Sequence, residues 1–136
     1  MAPASLVYYF GMIHNARDVL AVTGACLMVS RKDFESVEGF DERYAVAYND
    51  VDFCLRVRQA GWRVLWTPYA ELYHYESKSR GLDTKGPAKE RFEGERRRLK
   101  QRWGEALLHD PFYNPNLTLD REDFSESDVL PKEEPA

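Results

Sequence analysis

The stretch "YNDVDFCLRVRQAGWRVLWTPYAELYHYES", residues 48–77, decides the fold of this chain. Asn49, Asp50 and Asp52 stand just before an apolar run, Gly61 interrupts it, and two alternating runs follow, the second carrying His74. Asn49 is a good N-cap, its side-chain oxygen suited to a free amide of the first turn. Asp50 and Asp52 in the first turn and Arg56 and Arg58 toward the end complement the helix dipole. Gly61 supplies the stop. Val51, Leu55 and Trp62 share one side by helical spacing. "WRVLWTP" alternates and ends at Pro68. "AELYHYES" alternates again, with Ala70, Leu72 and His74 on one face and Tyr73 and Tyr75 on the other. Both read as strands, with His74 in a partly buried one.

Working outward, residues 20–29, the heart of "VLAVTGACLMV", read as a central strand. Ser30 three residues before Asp33 opens a short helix through Phe34 and Val37, ending near Gly39. "GFDERY" is a loop, and so is the polar, basic "KSRGLDTKG" at 78–86. Ala88 to about Leu108 forms a charged helix with Phe92, Leu99, Trp103 and Leu107 on one stripe, "ERRRLKQR" facing mostly solvent. After "DPFYNPNLTL" the chain turns acidic, and residues 125–136 are expected to be disordered. Strands alternating with helices make the fold class α/β.

The 136 residues suit one domain, and a hydrophobic content of 43% with 13% aromatic supports a core. A net charge of -4 gives no sign of nucleic-acid binding. No apolar run approaches the ~20 residues that span a bilayer. The N-terminus lacks a secretory pattern. Cys26 and Cys54 form no Cys-x-x-Cys pair and read as reduced, buried thiols.

Asp50-Val51-Asp52 imitates a D-x-D metal site. Residues two apart on a helix point roughly 200° from each other, so they do not chelate one ion while the helix is intact. Asp50 in the first turn can accept a proton from a hydroxyl, or it simply stabilises the helix start. Asp52 fits the capping role as well and can hold Arg56 one turn on. His74 alone is no metal site; it suits a divalent ion only in a mixed site with carboxylates. His14 and His109 have no constellation around them.

"AVTGACLMVSRKDF", "GFDERY" and "NDVDFCLRVRQAGWRVLWTPYAELYHYES", in that order and spacing, resemble the C-terminal half of a family 2 inverting glycosyltransferase of GT-A fold, in the style of rhamnosyltransferases and O-antigen or polysaccharide enzymes. "DPFYNPNLTLDREDFS" resembles the tail of such proteins, so the resemblance covers roughly residues 20–124. It implies a partial GT-A domain with a few strands and about three helices. Residues 1–19 form an N-terminal packing or oligomer segment, 20–110 the acceptor-side catalytic portion, and 111–136 an acidic extension.

Position by position, the resemblance implies Asp50 as catalytic base, with Asn49 where an acidic residue is usual. His74 falls at a metal-ligand position. Thr23 and Gly24 lie beside the acceptor with Asp52, Arg56 supports the acidic cluster, and Lys78 and Arg80 sit in a loop over the donor phosphates. A Mn²⁺ or Mg²⁺ ion would serve the complete enzyme, with none bound to this chain alone. The donor would be a nucleotide sugar and the acceptor a glycan or a lipid-linked glycan. The setting would be the cytoplasm, at the inner face of the membrane if the protein associates with it peripherally. Only about twenty residues precede the first strand, too few for a nucleotide-binding βαβ unit. The expectation is therefore an inactive chain in isolation. Its exposed edge and Tyr8, Tyr9 and Phe10 would favour a homo-oligomer. The rival expectation is a non-catalytic interaction module built on the same fold; a small hydrolase using Asp50, Asp52 and His74 is the weakest of the three.

Overall fold

The computed structural model describes residues 9–75, 85–121 and 124–127, without the side chains of Tyr9, Phe10 and Ile13. Among them are three α-helices and one two-stranded sheet, in the order β1 (Arg17–Asp18), α1 (Arg31–Ser36), α2 (Asn49–Gln59), β2 (Leu65–Trp66) and α3 (Gly86–Leu108). The α/β class therefore stands.

Helix α2 is the centre of the fold. Its C-terminus closes as the sequence requires. The Trp62 N–H donates to the Val57 carbonyl at 3.2 Å and the Gly61 N–H to Arg58 at 2.9 Å. Those two bonds make a Schellman motif, which needs a left-handed residue at Gly61, and its φ is 87°. The N-terminus differs from expectation by one residue. Asn49 is the first helical residue, and Tyr48 takes the cap position with φ 66° and no side-chain cap bond. The Asn49 side chain instead accepts from the next N–H, that of Asp50, at 2.8 Å.

The core gathers Phe53, Cys54 and Val57 of α2 with Val19, Val37 and Val64, and Val22, Leu27, Phe34 and Trp66 pack against it. Phe34, Phe40 and Phe53 meet with ring centroids 5.1–5.4 Å apart. Helix α1 starts as expected, with the Ser30 hydroxyl accepting from the Asp33 N–H at 3.1 Å.

The strands depart most from the sequence reading. Residues 20–29 form no strand. A 3-10 turn occupies Gly24–Cys26, capped by Thr23. The Gly24 N–H that a sheet neighbour would have taken goes to the Asp50 carboxylate. Pairing falls just ahead, where Arg17 faces Trp66 and Asp18 faces Leu65 in antiparallel register, and the Val19 N–H extends it to the Val64 carbonyl at 3.0 Å. "WRVLWTP" thus supplies β2. The run at 71–75 carries no strand, and Leu72, Tyr73, His74 and Tyr75 are exposed. Alternation alone does not make a strand: a strand also needs a second backbone to receive its hydrogen bonds, and among the described residues none pairs with this run in a sheet.

Helix α3 starts two residues ahead of the expected Ala88, because Pro87 is well placed in a first turn, where its missing N–H costs nothing. Of the expected stripe, Leu99 is buried and Phe92, Trp103 and Leu107 are half-buried. Beyond it the chain folds back. Leu117 bridges Glu126, and the Thr118 N–H donates to Ser125 at 2.9 Å. Residues 125–127 therefore pair with 116–118, and 128–136 lie outside the described residues. Cys54 is buried, as expected, whereas Cys26 is exposed. No helix among the described residues is long and apolar enough to cross a membrane.

Candidate active site

The first turn of α2 brings Asp50 against the Thr23–Gly24 turn. One carboxylate oxygen, Oδ2, accepts from the Gly24 N–H at 2.8 Å. The other, Oδ1, accepts from the Val51 N–H at 2.8 Å. A Cβ added at Gly24 would sit 3.3 Å from the Asp50 Cβ, so glycine permits this close approach. Gly24 and Asp50, singled out separately in the sequence, therefore meet, with Thr23 next to Gly24 in the chain. Asp50 stays half-buried, accessible and oriented by two backbone donors. A carboxylate so held can take a proton from a hydroxyl brought to its open side.

Asp52 is different, although only two positions away. It is fully buried at 0% exposure. Its Oδ2 accepts from Arg56 Nε at 2.8 Å, and its Oδ1 from Arg102 Nη1 at 3.1 Å and Trp103 Nε1 at 2.8 Å. Expected beside the acceptor, Asp52 is instead buried in the described structure, with its hydrogen bonds going to side chains of α2 and α3. Arg56 supports the acidic cluster directly. Beyond Asp52 its guanidinium donates to the carbonyls of Val37 and Gly39, tying α2 to the end of α1.

Asp41 sits beside this network. Three hydrogen bonds from the Arg43 side chain, the shortest 2.6 Å, hold its pKa down to about 2 against the opposing effect of burial. Arg102 reaches it as well, at 3.3 Å. Burial pushes the Cys54 thiol and the Tyr44 and Tyr48 hydroxyls up.

The remaining expected residues do not join Asp50. His74 is exposed on the 71–75 stretch. Among the described residues no group of three His, Cys, Asp or Glu side chains could hold a metal ion. The described residues alone therefore do not fit the divalent ion that the resemblance implies. Lys78 and Arg80 lie outside the described residues.

Sequence reasoning missed Glu95, Arg102 and Trp103 as partners of this region. Glu95 and Arg102 belong to the "ERRRLKQR" run that the sequence reading puts mostly toward solvent. Yet 92, 95, 99, 102 and 103 follow the three- and four-residue spacing of one face, and that spacing alone could have found them.

Residues 6–120 match the family described as Glycosyl transferase family group 2. The chain belongs to that family. It is 44% identical over 123 residues, 90% of its length, to the uncharacterized protein y4gI of Sinorhizobium fredii, and 39% identical over 118 residues, 81% of its length, to the O-antigen biosynthesis protein RfbC of Myxococcus xanthus. It is also 43% identical over 69 residues, 51% of its length, to the N-acetylglucosaminyl-diphospho-decaprenol L-rhamnosyltransferase of Mycobacterium tuberculosis. The matched regions span 14%, 8% and 22% of those three proteins, so the chain corresponds to a small part of each. No solved structure matches it.

Proposed function

We propose that this chain is the acceptor-side, base-bearing portion of an inverting glycosyltransferase that uses a nucleotide-activated sugar. The observation that carries the reading is the Asp50 carboxylate, fixed by the Gly24 and Val51 N–H groups and still open on one side. Family membership and the names of the relatives, a rhamnosyltransferase and an O-antigen protein, support the class. The acceptor is a glycan or a lipid-linked glycan, met in the cytoplasm at the inner membrane face. The donor is a nucleotide sugar, and Lys78 and Arg80 are the residues this reading assigns to its phosphates.

The acceptor hydroxyl gives its proton to Asp50 as its oxygen attacks the anomeric carbon. The new carbon–oxygen bond forms on the face opposite the nucleoside diphosphate, whose bond to the sugar breaks, and the configuration inverts. Asp52 does not touch the acceptor. It fixes α2 on α3.

The test is Asp50→Asn in the full-length gene product, assayed for sugar transfer. Loss of a general base lowers turnover by about 10²–10⁴-fold. The substitution keeps the size but turns an NH₂ toward one of the two backbone N–H donors, Gly24 or Val51, so it lowers stability by about 1–3 kcal/mol. Turnover above about a tenth of wild type would overturn the assignment.

A further inference from the structure

Tyr48 enters α2 from the left-handed region, with φ 66°. A residue other than glycine is strained there and persists only where its surroundings hold it. Here the surroundings are supplied by α3. The Phe92 ring lies 5.5 Å from the Tyr48 ring, centroid to centroid. Glu95 is 3% exposed. Its Oε1 accepts from the Ala45 N–H at 3.0 Å and its Oε2 from the Ala47 N–H at 2.7 Å. Farther along the same helix, Arg98 donates to the Arg43 carbonyl at 2.5 Å, and Arg102 and Trp103 reach Asp52. Helix α3 thus grips the chain on both sides of Asp50, at 45–48 before it and at Asp52 after it.

We propose that Glu95 is a positioning residue for Asp50. It clamps the strained turn from which the base-bearing helix starts, and so sets where the Asp50 carboxylate stands against Gly24. This inference rests on the reading of Asp50 as the base. Both oxygens of Glu95 are used, each by a backbone N–H. An amide in its place offers one acceptor and turns its NH₂ toward the second N–H, where donor meets donor. The turn then loses one of its two ties, and the first turn of α2 is free to shift. Displacing a reacting group by about 1 Å can cost about 100-fold in rate.

The experiment compares Glu95→Gln in the full-length gene product with and without Asp50→Asn. Turnover, KM and melting temperature are read together with amide hydrogen exchange at residues 45–52. Glu95→Gln is expected to lower turnover about tenfold or more while KM stays within about twofold. Exchange should quicken at Ala45 and Ala47 but not in the middle of α2. In the Asp50→Asn background Glu95→Gln should cost nothing further, because no base remains to be positioned. A folded Glu95→Gln protein with turnover within about twofold of wild type overturns the inference, and so does an equal loss in both backgrounds. If Glu95→Gln does not fold, Phe92→Leu loosens the same turn at a half-buried site and is read by the same criteria. Failure of the underlying reading looks different: Asp50→Asn alone then keeps its turnover.

Discussion

Two neighbouring parts of this chain, the charged α2–α3 pair and the tyrosine-rich arm at 69–75, end up differently. In the α2–α3 pair the polar groups are interlocked. Asp52 is inaccessible and has three side-chain donors, and Glu95 is nearly as deep. In the 69–75 arm, Tyr69, Leu72, Tyr73 and Tyr75 are 88%, 71%, 75% and 70% exposed. The difference lies in where the backbone finds its hydrogen bonds. A helix satisfies its own N–H and C=O groups, so its side chains are free to dock. A strand depends on a second backbone. Among the described residues the arm has none beside it in a sheet.

The sharpest way to break this contrast is Asp52→Ala. Removing one partner of a buried ionic group leaves the other partners uncompensated and costs about 3–5 kcal/mol. Arg56 and Arg102 would be those partners. Urea denaturation of wild type and variant measures it. A loss below about 1 kcal/mol would place Asp52 among ordinary surface pairs and remove the distinction between the two regions.

Next in size is Trp103→Phe. It keeps a ring on α3 but deletes the Nε1–H that donates to Asp52 at 2.8 Å. A hydrogen bond to a charged group contributes about 1.5–3 kcal/mol. The same denaturation series should show that loss. It should shrink markedly in the Asp52→Ala background, because the two substitutions then remove one shared contact.

How much of this could be read beforehand follows the same division. Helix α2, the Ser30 cap, the Gly61 stop and α3 were legible because their determinants lie within a few residues of each other. Thr23, Gly24 and Asp50 were singled out by their likeness to a family pattern, and the fold brings them together. The strand expected at 20–29 was not there, because the Gly24 N–H serves Asp50 across 26 positions of sequence. Local alternation cannot reveal such a partner. The cap moved to Tyr48 because Glu95, nearly fifty residues later, holds the turn before it. The hold of Asp52 on Arg56 one turn on was legible, but nothing within its own helix announces Arg102 and Trp103.

A smaller effect should appear in acid. Asp41 titrates at about 2 in the folded chain, mainly because Arg43 is hydrogen-bonded to its carboxylate, against an ordinary value of 3.8. A carboxyl group whose folded pKa is the lower one stabilises the fold fully above its unfolded value. It loses that contribution as pH falls through the folded one. The stability gap between wild type and Asp41→Asn should therefore be constant above about pH 4 and close between about pH 4 and 2. Unfolding free energies at stepped pH would show it. A gap that widens toward acid would contradict the Arg43 assignment.

The smallest effect belongs to the arm. Leu72→Ser and Tyr73→Ser replace side chains that are 71% and 75% exposed. Little apolar area leaves the protein interior when they go, so each should change the stability of the chain by no more than about 0.5 kcal/mol. The pair should be additive, and amide exchange over 69–75 should be fast in wild type and variant alike. The measurement has a second use. These apolar side chains stand close together along one exposed stretch, and such a surface favours association. A loss above about 2 kcal/mol that grows with protein concentration would mean that the arm is buried between copies of the chain. The helix pair and the arm would then differ only in where their partner sits, within the chain for one and in a second copy for the other. A loss of that size independent of concentration would instead put the arm against residues of its own chain, and the contrast between the two regions would fall.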